Sequence, residues 1–140
     1  DEGLDRIYLY WLLSDRWSLS MEGLYEAFKQ SIYDPDQFTT MRTPLTVGYY
    51  HPKGLSCKLI STYVNQEVIH QSNKENEDFW VLDASVNYRL PKRRGVITIG
   101  ARNLLDQTFR YQDHYFDSEE PIIPSLIPER TIYCRIDISI

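Results

Sequence analysis

Thr131-Ile132-Tyr133-Cys134-Arg135-Ile136-Asp137-Ile138-Ser139-Ile140 alternates without an exception. Ile132, Cys134, Ile136, Ile138 and Ile140 fall on one side, and Thr131, Tyr133, Arg135, Asp137 and Ser139 on the other. A period of two belongs to an extended strand, whose successive side chains point to opposite faces. One face is apolar and the other carries charge. The stretch is 10 residues long, about what a tilted strand needs to cross a bilayer. A terminal strand of this kind is expected to close a sheet whose apolar side meets lipid.

Working back from that strand, six more candidates appear, at residues 6–13, 17–28, 44–50, 55–66, 79–90 and 95–103, the last with an extension towards Tyr111. Short links at Ser14-Asp15-Arg16, His51-Pro52-Lys53-Gly54 and Pro91-Lys92-Arg93-Arg94 alternate with longer ones. The longer ones contain Tyr33-Asp34-Pro35-Asp36, then the polar run Gln71-Ser72-Asn73-Lys74-Glu75-Asn76, then residues 113–129. Pro, Gly, Asn and Asp stand where hairpins need them. The reading is all-β: an antiparallel up-and-down meander of about seven strands. Short turns on one side and long loops on the other are the asymmetry of outer-membrane barrels. Bacterial single-chain barrels have an even strand number, so seven strands are expected to be the C-terminal part of a larger transmembrane β-barrel.

Composition agrees with a barrel segment in one respect and is silent in others. The chain of 140 residues has the size of one domain. No stretch of about 18 apolar residues occurs, so no transmembrane helix is expected. Alternation hides the apolar signal of a barrel in an unremarkable average. The aromatic share of 14%, with 11 tyrosines, is high. A net charge of −5 argues against nucleic acid as a partner. No signal peptide begins at Asp1, so an export signal is expected upstream or already removed. Cys57 and Cys134 fall on strands three places apart, roughly 14 Å at about 4.8 Å per strand. That is beyond disulfide reach, and both read as small apolar residues of the outer face.

Aromatic positions set the orientation. With Ile7, Leu9, Trp11 and Leu13 outward, Trp11, Trp17, Tyr49 and Tyr88 lie beside the short turns, and Tyr25, Tyr63 and Trp80 beside the long loops. Trp17 to Tyr25 and Trp80 to Tyr88 are each separated by 8 positions. At about 3.3 Å per residue and a tilt near 40°, that is roughly 20 Å, close to the spacing of aromatic girdles. The inward face carries Asp83, Ser85, Asn87, Arg89, Thr98 and Arg102, as a lumen should. Tyr8, Tyr10, Leu12, Leu24, Phe28, Phe79 and Val81 share that face, so something is expected to pack inside against them. The competing reading is a soluble β-sandwich binding module whose core is the face taken here as outward.

The segment from Asp83 to Asp113 resembles the C-terminal region of TonB-dependent outer-membrane receptors. The likeness rests on an Asn- and Tyr-bearing inner strand, a tight basic turn and Gly100-Ala101-Arg102-Asn103-Leu104-Leu105-Asp106. Ile127-Pro128-Glu129-Arg130 before the last strand fits the same family. The resemblance covers residues 79–140 and is looser before them. It implies a barrel wall in the outer membrane of a Gram-negative bacterium, with a plug domain in the full-length protein. It also implies uptake of a scarce ligand such as an iron chelate, energised through TonB. The partners implied are outer-membrane lipid, the rest of the barrel and, indirectly, TonB. The final Ile140 departs from the aromatic terminus usual in outer-membrane strands. Tyr10-Trp11-Leu12-Leu13 with Asp15-Arg16-Trp17 also looks like a barrel found downstream of tetratricopeptide repeats, which implies export or scaffolding without a plug.

No catalytic constellation is found, so no enzyme, cofactor or metal site is expected. His51, His70 and His114 fall in a turn and two loops, and Ser61 and Ser85 have no His and Asp at a suggestive spacing. Arg110, Tyr111, Asp113, His114, Tyr115 and Asp117, with Glu119 and Glu120 behind them, form the candidate ligand-binding loop. Carboxylates with a His suit a hard cation, and aromatics with Arg suit an anionic chelate. The alternative is a solvated loop. Across the basic turn, pairing Leu90 with Gly95 sets Asp83 opposite Arg102 as an inward ion pair. The isolated piece is expected to need detergent or to self-associate.

Overall fold

The computed structural model describes residues 2–29, 37–70, 73–110, 126 and 128–138. Strands β1 (Glu2–Leu12), β2 (Trp17–Lys29), β3 (Gln37–Tyr50), β4 (Leu55–His70), β5 (Asn73–Arg89), β6 (Gly95–Arg102) and β7 (Thr131–Ile138) follow one another. A single 3₁₀ turn, Pro91–Arg93, joins β5 to β6. All seven strands form one antiparallel sheet in chain order, β1-β2-β3-β4-β5-β6-β7. The sheet is open: β1 and β7 are its two edges. Because the meander has an odd strand count, those edges run in the same direction.

Several strand boundaries differ from the sequence reading, and β1 already begins at Glu2 rather than at Arg6. β3 begins at Gln37 and passes through Pro44, which the sequence reading took as its start. Pairing of β2 with β3 lapses at Glu22 and Gly23, opposite Thr43 and Pro44, and resumes in register at Leu24 with Arg42. A proline has no N–H to give the ladder, and the strand absorbs this as a local gap. The polar run at 73–76 is strand, not loop: Asn65 pairs with Asp78 and the ladder continues to His70 with Asn73. Between those strands stand Gln71 and Ser72, outside the described residues. β6 stops at Arg102 because Asn103 turns into the left-handed region at φ 48°.

The register puts the two faces where alternation predicts. The apolar face carries Ile7, Leu9 and Trp11 on β1, then Leu19 and Met21 on β2, and Leu59, Leu82, Val86 and Ile99 further along. β7 adds Ile132, Cys134 and Ile136. Cys57 and Cys134 are both free and both on this face. Beyond Tyr63 and Trp80 the same face turns polar, with Asn65, Glu67, Asn76 and Asp78.

Burial is concentrated on one face. Phe38, Thr40, Thr62, Val64, Gln66, Val68, Phe79 and Val81 are buried, and every one lies on the more polar face. Ser18, Gly48 and Gly100 are buried on that face too, near the short turns. The apolar face leaves Ile7, Leu9, Trp11, Trp17, Met21, Trp80, Ile99 and Ile136 exposed. A single layer shielded along one side is curled towards that side. The glycines make the inner curve close: a methyl group at Gly100 would lie 2.5 Å from the ring of Tyr133, its cross-strand neighbour.

Candidate functional site

All seven expected girdle residues share the apolar face. Trp17 pairs with Tyr49, whose ring lies 4.9 Å away between centroids, tilted by 51°. Tyr63 pairs with Trp80 at 5.0 Å and 43°. Trp11 stands opposite Leu19, Tyr25 opposite Met41 and Tyr88 opposite Leu55. Tilted aromatic pairs at this separation add about 0.5–1.5 kcal/mol beyond burial. Between the two aromatic rows the face is interrupted by a shallow open depression of about 680 Å³, where Cys57, Ala84 and Ala101 are small. Its lining offers no acid, base or nucleophile in a constellation.

The inner surface is organised by the Gly100–Asp106 motif. Asn103 is fully buried. Its backbone N–H donates to Asp83 Oδ1 at 2.8 Å. Its side chain closes a ring with Gln107, donating to the Gln107 carbonyl at 2.8 Å and accepting the Gln107 N–H at 2.9 Å. The Leu104 N–H donates to the Leu82 carbonyl at 2.7 Å, and the Asp106 N–H to the Asn103 carbonyl at 2.9 Å. Asp106, also at positive φ, accepts the Arg130 N–H at 3.0 Å and faces the Arg130 guanidinium at 3.6 Å. The left-handed conformation costs an ordinary residue roughly 1–2 kcal/mol, least for Asn and Asp, whose side chains bond locally. That explains Asn103 and Asp106 in the motif.

From this hub the chain follows β5 towards the long-loop end. Phe109 stacks on Phe79 with centroids 4.1 Å apart and planes 4° from parallel. The Arg110 N–H reaches Glu77 Oε1 at 3.3 Å. Leu126 joins Val64, Phe79, Val81 and Phe109 in one buried cluster. The expectation that something packs against Phe79 and Val81 is met by the connection between β6 and β7. Phe109 and Leu126, apolar residues in a polar stretch, were the available signal and were not singled out from the sequence.

Other expected site residues fare differently. Ala84 pairs with Ala101, so Asp83 and Arg102 stand one step beyond the last bridged pair, in the register expected from the turn. The ion pair itself does not form among the described residues. Asp83 is occupied by the Asn103 N–H, and Arg102 lies 6.0 Å over the Tyr133 ring, at the limit of a cation–π contact. A backbone donor held by the turn costs less entropy than a long exposed side chain. Arg110 is exposed beside Glu77. Tyr111, Asp113, His114, Tyr115 and Asp117 lie outside the described residues, as does most of the 113–129 loop. No group of three or more His, Cys, Asp or Glu that could hold a metal occurs among the described residues.

No family model matches the chain, and neither a curated protein nor a solved structure matches it.

Proposed function

We propose that this chain is part of the wall of an outer-membrane β-barrel of the TonB-dependent receptor kind, whose complete form takes up a scarce ligand such as an iron chelate. The observation that carries the membrane reading is the exposed apolar face. Ile7, Leu9, Met21, Leu59, Val86 and Ile99 stand uncovered between two aromatic rows, while the buried strand side chains lie on the other face. A water-soluble protein gains by the opposite arrangement, and lipid rewards this one. Parity supports a part rather than a whole. Parallel edges cannot meet in an antiparallel barrel, so the remainder must supply an odd number of strands. The receptor assignment rests on the resemblance of the 83–113 segment, and TonB acts through a plug carried elsewhere.

The three tryptophans, Trp11, Trp17 and Trp80, all stand in the girdles, so their fluorescence tests the reading. In vesicles whose acyl chains carry bromine, quenching of this emission is expected. A monodisperse monomer in plain buffer, unquenched by such lipid, would establish the soluble sandwich instead. In the full-length protein, uptake of a labelled iron chelate that stops when TonB is removed supports the receptor. Secretion indifferent to TonB supports the plug-less barrel linked to tetratricopeptide repeats.

A further inference from the structure

The two ends of the sheet differ in how their charges are answered. The three short turns hold Arg16, Lys53, Lys92, Arg93 and Arg94 against the single carboxylate of Asp15. That is a net of +4 on a chain whose total is −5, leaving −9 for everything else. Towards the long loops, three cations meet carboxylates within the protein. Lys74 meets Glu67 at 2.6 Å, Arg42 meets Glu26 at 3.2 Å and Arg130 meets Asp106 at 3.6 Å. At the short-turn rim, none of Arg16, Lys53, Lys92 or Arg94 has a carboxylate within 4.0 Å among the described residues. All four are exposed.

The rim is also held in place. The Tyr50 N–H donates to the Arg16 carbonyl at 2.8 Å, fixing the first turn to the end of β3. The Arg89 N–H donates to the Gly54 carbonyl at 2.8 Å, fixing the second to the end of β5. Successive turns therefore stand two strands apart, roughly 10 Å at about 4.8 Å per strand. Immediately inside this row, on the apolar face, come Trp11, Trp17, Tyr49 and Tyr88. Aromatic belts mark the level of the headgroups, and long basic side chains beyond them reach the phosphates.

We propose that the short-turn rim binds the phosphate groups of anionic phospholipids in the leaflet it faces. The inference rests on the membrane reading above and adds a partner to it. Continuity argues for lipid over an acidic protein: the turns that carry these cations follow directly on the aromatic row of Trp17, Tyr49 and Tyr88 that borders the apolar face.

The test uses the whole chain and a variant, R16Q/K53Q/K92Q/R94Q, with vesicles of phosphatidylcholine alone or mixed with phosphatidylglycerol. Flotation measures binding. Wild type is expected to float with both and to prefer the mixed vesicles. Each neutralised cation is worth roughly fivefold near an anionic surface, so the variant should lose up to about 600-fold of that preference and keep its binding to phosphatidylcholine. About 1 M salt shortens the screening length to about 3 Å and should erase the preference of wild type. Equal flotation with both lipids overturns the rim proposal and leaves the membrane reading standing. Binding to mixed vesicles alone, lost in the variant, supports the rim and sinks the spanning wall; binding to neither sinks both. Rim-dependent capture by polyglutamate with no lipid preference assigns the row to an acidic protein and overturns the proposal.

Discussion

The polar face has two flanks, and they differ although one sheet makes both. Over β4 and β5, Val64, Phe79 and Val81 are buried beneath Phe109 and Leu126. Over β1, Leu4, Tyr8, Tyr10 and Leu12 sit on the same face and are exposed, Tyr8 by 56% and Tyr10 by 51%. Composition does not separate them, since both flanks offer large apolar side chains. What separates them is reach: the hub at Asn103 turns the β6–β7 connection back along β5, and nothing among the described residues does the same for β1. The sheet supplies its own cover at one flank and leaves the other bare among the described residues. β1 is apolar on both sides, since Ile7, Leu9 and Trp11 are exposed opposite its tyrosines. An edge strand so constituted is made to be covered on both faces and paired along its backbone.

The comparison breaks most readily at Phe109. Replacing it by alanine removes a buried ring stacked on Phe79, and large-to-small changes of this kind cost about 3–5 kcal/mol. We expect a loss of that order in denaturant unfolding of the chain in detergent, reported by Trp80 beside Phe79. A change below about 1 kcal/mol would mean that the lining contributes little and the two flanks are energetically alike.

How much of this was legible in the sequence depends on which force shaped each part. Strict alternation and tight turns disclosed the seven strands and their faces, because a one-residue slip would reverse every side chain. The outer ends of β4 and β5 were missed. Asn, Glu, Asp and Lys are poor strand formers, and pairing with a neighbour overrode that preference at Glu67, Lys74, Asn76 and Asp78. The start of β3 was missed because Pro44 reads as a boundary, yet the ladder tolerates it as a gap. The register of Asp83 and Arg102 was legible from the turn. Their bonding was not, since it depends on the positive φ of Asn103. Phe79 and Val81 stood out as misplaced, but the long-range contact that answers them has no local signature.

The hub gives the next largest effect. Asn103→Ala keeps the backbone bond to Asp83 and loses both side-chain bonds to Gln107. It also places an alanine at φ 48°. Two buried hydrogen bonds and the left-handed cost together predict roughly 2–4 kcal/mol. Asn103→Gly removes the same bonds without the conformational cost, so it should recover about 1 kcal/mol of the loss. Hydrogen exchange should show the Gln107 amide opening in both variants. Protection at Gln107 unchanged in the alanine variant would show that Asn103 is not what turns the connection inward.

At the border between the flanks, the Glu26 carboxylate meets Arg42 at 3.2 Å, with both side chains largely shielded. A cross-strand ion pair contributes roughly 0.2–1 kcal/mol. Glu26→Gln should cost an amount within that range, with its effect confined to β2 and β3. Measured against Glu22→Gln at the more exposed pair with Arg6, the border pair should be the stronger of the two. The reverse order would mean that shielding does not increase from β1 towards β3.

The smallest effect is expected on the bare flank and distinguishes the flanks most sharply. Tyr8→Ser and Tyr10→Ser remove two rings that this chain leaves half exposed. Surface changes of this sort fall within about 0.5 kcal/mol. In this chain alone, the pair of substitutions should therefore leave the unfolding midpoint nearly unmoved. In a complete barrel of the proposed kind the same substitutions should cost several times more, because covering these side chains would contribute roughly 25 cal/mol per Å². The difference between the two measurements is the quantity of interest, since it reports burial that the chain does not provide for itself. Equal and small effects in both settings would mean that β1 faces water in the complete molecule. The odd-stranded complement proposed from the parallel edges would then have to meet β1 along its backbone without covering Tyr8 and Tyr10.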